Sequence, residues 1–166
     1  MLQTLLEPRN AVGTEPPTRS WQEEALRVRD IMAVSPMTIA PSVSVQQART
    51  LMQQRQIRHL PVLEDGRLVG IMSDRDLRLV LPSPATSLSK WELNHLLTRL
   101  TVGEVMTRFV VTVAPDLPVT EAVGRMLRHR IGALPVVEGR RVVGILTRTD
   151  VLRAFLRLQR ELLAFA

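Results

Sequence analysis

The chain has 166 residues, 45% of them hydrophobic and 23% charged, with a formal net charge of +6. That is enough apolar material for a packed interior, in one compact domain or two small ones. The absence of cysteine excludes disulfides, zinc–thiolate centres and thiol chemistry, and no apolar run approaches the ~18 residues of a membrane-spanning helix.

In chain order, residues 1–19 hold Pro8, Gly13, Pro16 and Pro17 without sustained periodicity and read as a flexible arm. Met1–Pro8 lacks a basic stretch followed by an apolar one, so no secretory signal is expected and the cytoplasm is the expected location. Ser20-Trp21-Gln22-Glu23 has the spacing of a capping box and opens a short helix toward Arg29. Thr38–Ala40 reads as a short strand closed by Pro41. Ser44 and Gln47 cap a helix whose apolar positions are Val45, Ala48, Leu51 and Met52. Leu60–Leu63 and Leu68–Met72 are apolar strands joined at Asp65-Gly66, a hairpin signal. Pro61 has no N–H for a ladder, so its position is expected to face an edge or an open groove. A helix follows from Asp74.

Residues 82–101 carry a further capping box at Ser89 and Glu92, then Leu93, Leu96, Leu97 and Leu100 at i, i+3, i+4 and i+7. This is a connecting amphipathic helix expected to pack on the rest. The first five-element pattern then returns. In this second copy the helix between the first two strands presents Val119, Ala122, Val123, Met126 and Leu127, and the turn, Glu138–Arg141, is less regular. The last helix runs from Asp150 to about Phe165, with Val151, Phe155, Leu158, Leu162 and Phe165 on one face and Leu152, Leu156 and Leu163 widening it. Either this face folds back on its own core or it is a homodimer contact; sedimentation at micromolar concentration, giving twice the monomer mass, is the result expected of the dimer.

The return is a repeat. Val28–Leu81 aligns without a gap on Val102–Phe155 at an offset of 74 residues, with 18 identities in 54 positions. The organisation expected is a leading arm (1–19), a first repeat with its helix (20–81), the connecting helix (82–101) and a second repeat with the terminal helix (102–166). Each repeat reads strand, helix, strand, strand, helix: a mixed α/β (α+β) fold whose halves contribute to one shared core and enclose a near-symmetric groove.

Val28-Arg29-Asp30-Ile31-Met32, the Thr38–Pro41 strand, Ile57–Val62 and Leu68–Asp76, matched by Val102–Met106, Ile131–Val136 and Val142–Asp150, resemble tandem CBS (cystathionine-beta-synthase) domains of the stand-alone, single-module type. The resemblance implies two βαββα units related by a pseudo-twofold axis, often paired again into disc-like homodimers. It also implies binding of adenosine-containing ligands (AMP, ADP, ATP or another adenosyl compound) in the clefts between repeats, with the resulting change read by a separate regulated protein.

The residues themselves leave alternatives. Ser73 with Asp76, and Thr147 with Asp150, have the spacing of helix caps; in the family pattern the same aspartates accept hydrogen bonds from ribose. Thr38, Ile39, Pro61 and Val62, with Thr112, Val113, Pro135 and Val136, are the family positions for a base slot and are equally plain strand core. Arg58 and His59 stand where the family often meets phosphate, while the second repeat has Gly132 and Ala133 there, so two unequal sites are expected, with phosphate depending on Arg58.

No nucleophile elbow, phosphate-cradling Gly-rich loop or zinc-protease motif is present. No catalysis, required cofactor, metal site or membrane partner is therefore expected. The rival readings are a basic nucleic-acid-binding protein, encouraged by 22 basic residues but short of aromatic platforms at three Phe and two Trp, and a structural dimer with empty clefts.

Overall fold

The computed structural model describes residues 26–80 and 89–164. The arm at 1–19, the helix opening at Ser20, the stretch 82–88 and Phe165 lie outside them. The fold is mixed α/β and built of two repeats.

In the first repeat, α2 (Val45–Arg55) is closed at its start by a full capping box, Ser44 Oγ accepting from the Gln47 N–H at 3.2 Å and Gln47 Oε1 from the Ser44 N–H at 3.3 Å. Val45, Ala48 and Met52 are buried, the stripe set by their spacing. β2 (His59–Glu64) and β3 (Arg67–Ser73) form an antiparallel hairpin whose turn places both Asp65 and Gly66 at positive φ. That conformation is the type I′ turn that Asp-Gly favours. α3 (Asp74–Val80) follows. The second repeat gives α6 (Val119–His129), then β4 (Ala133–Glu138) and β5 (Arg141–Thr147), then α7 (Arg148–Ala164). Its turn has only Gly139 at positive φ, the φ pattern of a type II′ turn with its glycine first.

The expected strand at Thr38–Ala40 is a single parallel bridge, Ile39 to Val62. The Ile39 N–H donates to the Pro61 carbonyl at 3.1 Å and the Leu63 N–H to the Ile39 carbonyl at 2.9 Å. One step either way, the parallel ladder calls for an N–H from Pro61 or Pro41, and neither has one. Pro115 and Pro135 stop the Val113–Val136 bridge in the same way. Pro61 is therefore fully buried rather than facing an open groove. Its missing donor points at the segment whose pairing it ends.

The expected single shared core is two cores, one per repeat, and each is completed by the other repeat. α1 (Val28–Ile31) puts Val28, fully buried, into the core of the second repeat beside Ala122, Met126 and Leu134. α5 (Val102–Val105) puts Val102 into the core of the first, beside Val45, Ala48 and Leu60. The backbone follows suit. The Val28 N–H donates to the Leu117 carbonyl at 2.9 Å and the Val102 N–H to that of Val43 at 2.8 Å. Beyond α1, β1 (Ala33–Val34) pairs with β5; beyond α5, Thr107 bridges Ile71 of β3. The leading segments thus trade places. Gly70 and Gly144 leave room for this: a Cβ on Gly70 would stand 2.3 Å from the Met106 sulfur, and one on Gly144 2.4 Å from that of Met32.

α4 (Lys90–Arg99) is capped by Ser89 and Glu92 and rests on the first core through Leu97, which is buried. α7 behaves differently. Ala154 is its one buried residue, and Leu152, Phe155, Leu156, Leu158, Leu162 and Leu163 are all exposed. Past its first two turns, this helix does not fold back on the core.

Candidate functional site

A cleft of about 420 Å³ opens between the repeats. One wall comes from the first repeat: Arg58 and His59 at the head of β2, Ser73 at the end of β3, and Asp74, Arg75 and Asp76 in the first turn of α3. The other comes from the second: Thr107, Phe109, Val110 and Val111 after α5, Ile131 to Ala133 before and at β4, and Arg148 at the start of α7. Phe109, 96% exposed, stands at the mouth.

Asp76 holds the helix start. Its Oδ2 accepts from the Ser73 N–H at 2.7 Å and from Ser73 Oγ at 2.6 Å, and the Asp76 N–H reaches Ser73 Oγ at 3.3 Å. Thr147 and Asp150 repeat the arrangement at 2.9, 2.6 and 3.3 Å. The capping reading is therefore correct for both aspartates. It uses one carboxylate oxygen in each; Asp76 Oδ1 bonds no other described residue. A half-committed carboxylate on an open wall retains its second oxygen for hydroxyl donors.

The cleft is basic. Five arginines line it (Arg58, Arg75, Arg78, Arg130 and Arg148) against Asp74 and Asp76, and Arg78 is taken up by Asp74 at 3.0 Å. His59 lies in this field. Burial first, and then the positive charges of Arg148 and Arg58, hold its imidazole below the usual value of 6.5, opposed by Asp76 and Asp74. The folded protein thus binds fewer protons at this site than the unfolded chain. That contribution to stability is complete above pH 6.5 and is lost as the pH falls through the lowered value. Urea midpoints are expected to drop between pH 7.5 and 5.5, and His59→Gln to flatten that drop. Glu92 and Glu104, lowered by the hydrogen bonds of their own caps, titrate below 4.5 and stay outside this window.

Of the expected site residues, the cleft brings together Arg58, His59, Ser73 and Asp76. Thr38, Ile39, Pro61, Val62, Thr112, Val113, Pro135 and Val136 do not line it. Ile39, Val62, Val113 and Val136 are core, Pro61 and Pro135 are fully buried in their strands, and Thr38 is exposed. The Thr112 carbonyl accepts from Arg125 at 3.2 Å. Asp150 borders a second hollow, between α1 and α7, with Asp30, Met32, Arg153 and Arg157. Thr107, Phe109, Val111, Ile131 and Arg148 escaped the sequence reading. Thr107 and Phe109 follow Met106 directly in the repeat, but nothing local says that they cross to the other half.

Comparison with known proteins places this architecture. The CBS domain family model matches residues 28–83 and 102–157. The chain belongs to the CBS domain family. Its two CBS repeats are 30% identical over 124 residues to the CBS domain-containing protein YhcV of Bacillus subtilis, covering 75% of this chain and 81% of that one. Among solved structures, the CBS domain pair of protein MJ0100 in complex with 5'-methylthioadenosine and S-adenosyl-L-methionine superposes with a TM-score of 0.66 at 32% identity, covering 79% of this chain and 96% of that one. CBSX2 in complex with AMP gives 0.66 at 34%, covering 79% and 97%. The chain spans about a quarter of the length of the first curated relatives it matches, enzymes among them. No described helix of this CBS pair is long and apolar enough to cross a membrane.

Proposed function

We propose that this CBS pair is a regulatory module that binds an adenosine-containing ligand in the cleft between its repeats, and that occupancy alters the packing of the repeats for a partner protein to read. One observation carries this reading: Asp76 stands on the wall of an open inter-repeat cleft with one carboxylate oxygen that bonds no other described residue. The ribose hydroxyls are its natural donors. The adenosyl ligands in the two neighbouring structures support the choice. The module binds its ligand and does not transform it; Ser73, the one hydroxyl nucleophile beside His59 and Asp76, spends its oxygen on the helix cap.

A second copy of the chain is the partner this reading assigns to the apolar face of α7, six of whose large side chains face outward. Location in the cytoplasm belongs to the same reading.

Thermal unfolding with AMP, ADP, ATP, S-adenosylmethionine and 5'-methylthioadenosine tests it. A ligand at 100 times its Kd stabilises the native state by about 2.7 kcal/mol, which for a chain of this size raises Tm by roughly 5–10 °C. No shift with any of the five would instead favour a structural module with empty clefts. Binding of RNA or DNA that weakens steeply with salt and ignores Asp76 would favour the nucleic-acid reading.

A further inference from the structure

The two cores are closed differently on their helical side. In the first repeat α4 packs on α2 and sends Leu97, buried, into the core that holds Val45, Ala48 and Met52. Val45 has no exposed surface. The second core has no described counterpart of Leu97, and among the described residues no helix packs on α6 as α4 does on α2. Val119, which matches Val45, is only half-buried. Val123 is half-buried as well, and Leu127 is 73% exposed. These three stand at i, i+4 and i+8, in one stripe along the helix. The matched residues of α2 are Val45, Arg49 and Gln53. The helix without a described cover thus carries the more apolar stripe.

The chain enters both repeats by the same route. The Leu100 carbonyl, just past α4, accepts from the Val45 N–H at 2.8 Å, and the Leu26 carbonyl accepts from the Val119 N–H at 2.8 Å. Thr101 bridges Ser44, and Arg27 bridges Pro118. Both pairs of contacts join matched positions of the repeat. What precedes Leu100 is α4. What precedes Leu26 is residues 1–25, outside the described ones. The last of these, residues 20–25, have the capping-box spacing at Ser20 and Glu23 and one large apolar side chain, Trp21.

We infer that residues 20–25 dock on α6 as α4 docks on α2, with Trp21 laid over Val123 and Leu127. The spacing permits it. Trp21 lies five residues ahead of Leu26, about 7.5 Å along a helix, and Val123 and Leu127 lie about 6 and 12 Å along α6 from Val119. An indole placed between them covers both. The charges agree: residues 20–25 include Glu23 and Glu24, and the last turn of α6 carries Arg128 and His129, both exposed. The occupant is the chain's own because Leu26 already fixes its end beside the stripe. A short tether of this kind supplies an effective concentration of millimolar order, which a separate partner has to match from solution. The docking is independent of what the cleft between the repeats binds.

Tryptophan fluorescence of the full chain tests this. Trp91→Phe leaves Trp21 as the one tryptophan. Its emission is expected to be blue-shifted from that of indole in water, its quenching by acrylamide suppressed, and both unchanged on dilution through the micromolar range. Val123→Arg with Leu127→Gln gives α6 the residues that α2 carries at these positions. In that background the blue shift and the shielding are lost, with far-UV circular dichroism unchanged. Leu127→Gln alone, at an exposed position that folding does not depend on, moves the emission part of the way. Trp21 emitting as free indole in the Trp91→Phe chain overturns the inference. So does shielding that survives the double substitution. Shielding that fades on dilution overturns it too, and assigns the stripe to a second copy.

Discussion

Val28→Asp is expected to unfold the second repeat first, although residue 28 aligns with the start of the first. Val28 has no exposed surface and packs among Ala122, Met126 and Leu134. No described residue offers its position a buried cation: Arg29, the one arginine of α1, is exposed and pairs with Asp116 at the surface. Burying even an unsatisfied polar group costs roughly 2–7 kcal/mol, and an unpaired carboxylate costs more. Against a total stability of about 5–15 kcal/mol, that is enough to open the second core under otherwise native conditions. Hydrogen exchange is the measurement that checks it. Protection is expected to collapse in β4, β5 and α6 and to persist longer in β2, β3 and α2. Early loss in β2 and β3 instead would mean that the exchange of leading segments does not govern stability.

Asp76→Ala is expected to abolish the ligand-induced rise in Tm while leaving a folded protein. The carboxylate has two tasks that differ in size. As a cap it satisfies the start of α3, and losing that costs about 0.5–2 kcal/mol, a modest fall in the Tm of the free chain. As the hydroxyl acceptor proposed for the cleft it keeps one carboxylate oxygen that bonds no other described residue, so its removal is expected to eliminate the whole shift of about 2.7 kcal/mol. Asp150→Ala provides the contrast. It breaks an equivalent cap but borders the other hollow, so it is expected to lower Tm similarly and keep the AMP shift. Equal shifts in the parent and Asp76→Ala chains would reduce this aspartate to a cap.

Much of the architecture was legible because it is encoded locally. Capping boxes at Ser44 and Ser89 are readable from a spacing of three, and the hairpin turn from Asp65-Gly66, since each is settled by residues in contact along the chain. The doubling at 74 residues carried the family resemblance. What was not legible depends on partners far away. Val28 is as apolar in either core, and nothing in its neighbourhood says which one receives it. The strand at Thr38–Ala40 has the right composition and fails because of prolines on both sides of the ladder, one of them on another segment. The base-slot candidates show the same limit: Ile39, Val62, Val113 and Val136 are as well suited to core as to a cleft, and here they fill the cores. Arg148 aligns with Asp74 of the first repeat, an inverted charge that by itself points to no cleft. Its place in the cleft required knowing that Gly132 lies beneath it.

The trade of leading segments has a mechanical consequence. The stretch that begins at Val102 plugs the first core, bridges β3 through Thr107, walls the cleft with Phe109 and Val111, and then runs on toward α6. One short length of backbone is thus at once bolt, wall and hinge. A molecule that stiffens residues 107–111 tightens the joint between the halves in the same act, so recognition and cohesion share a single spring.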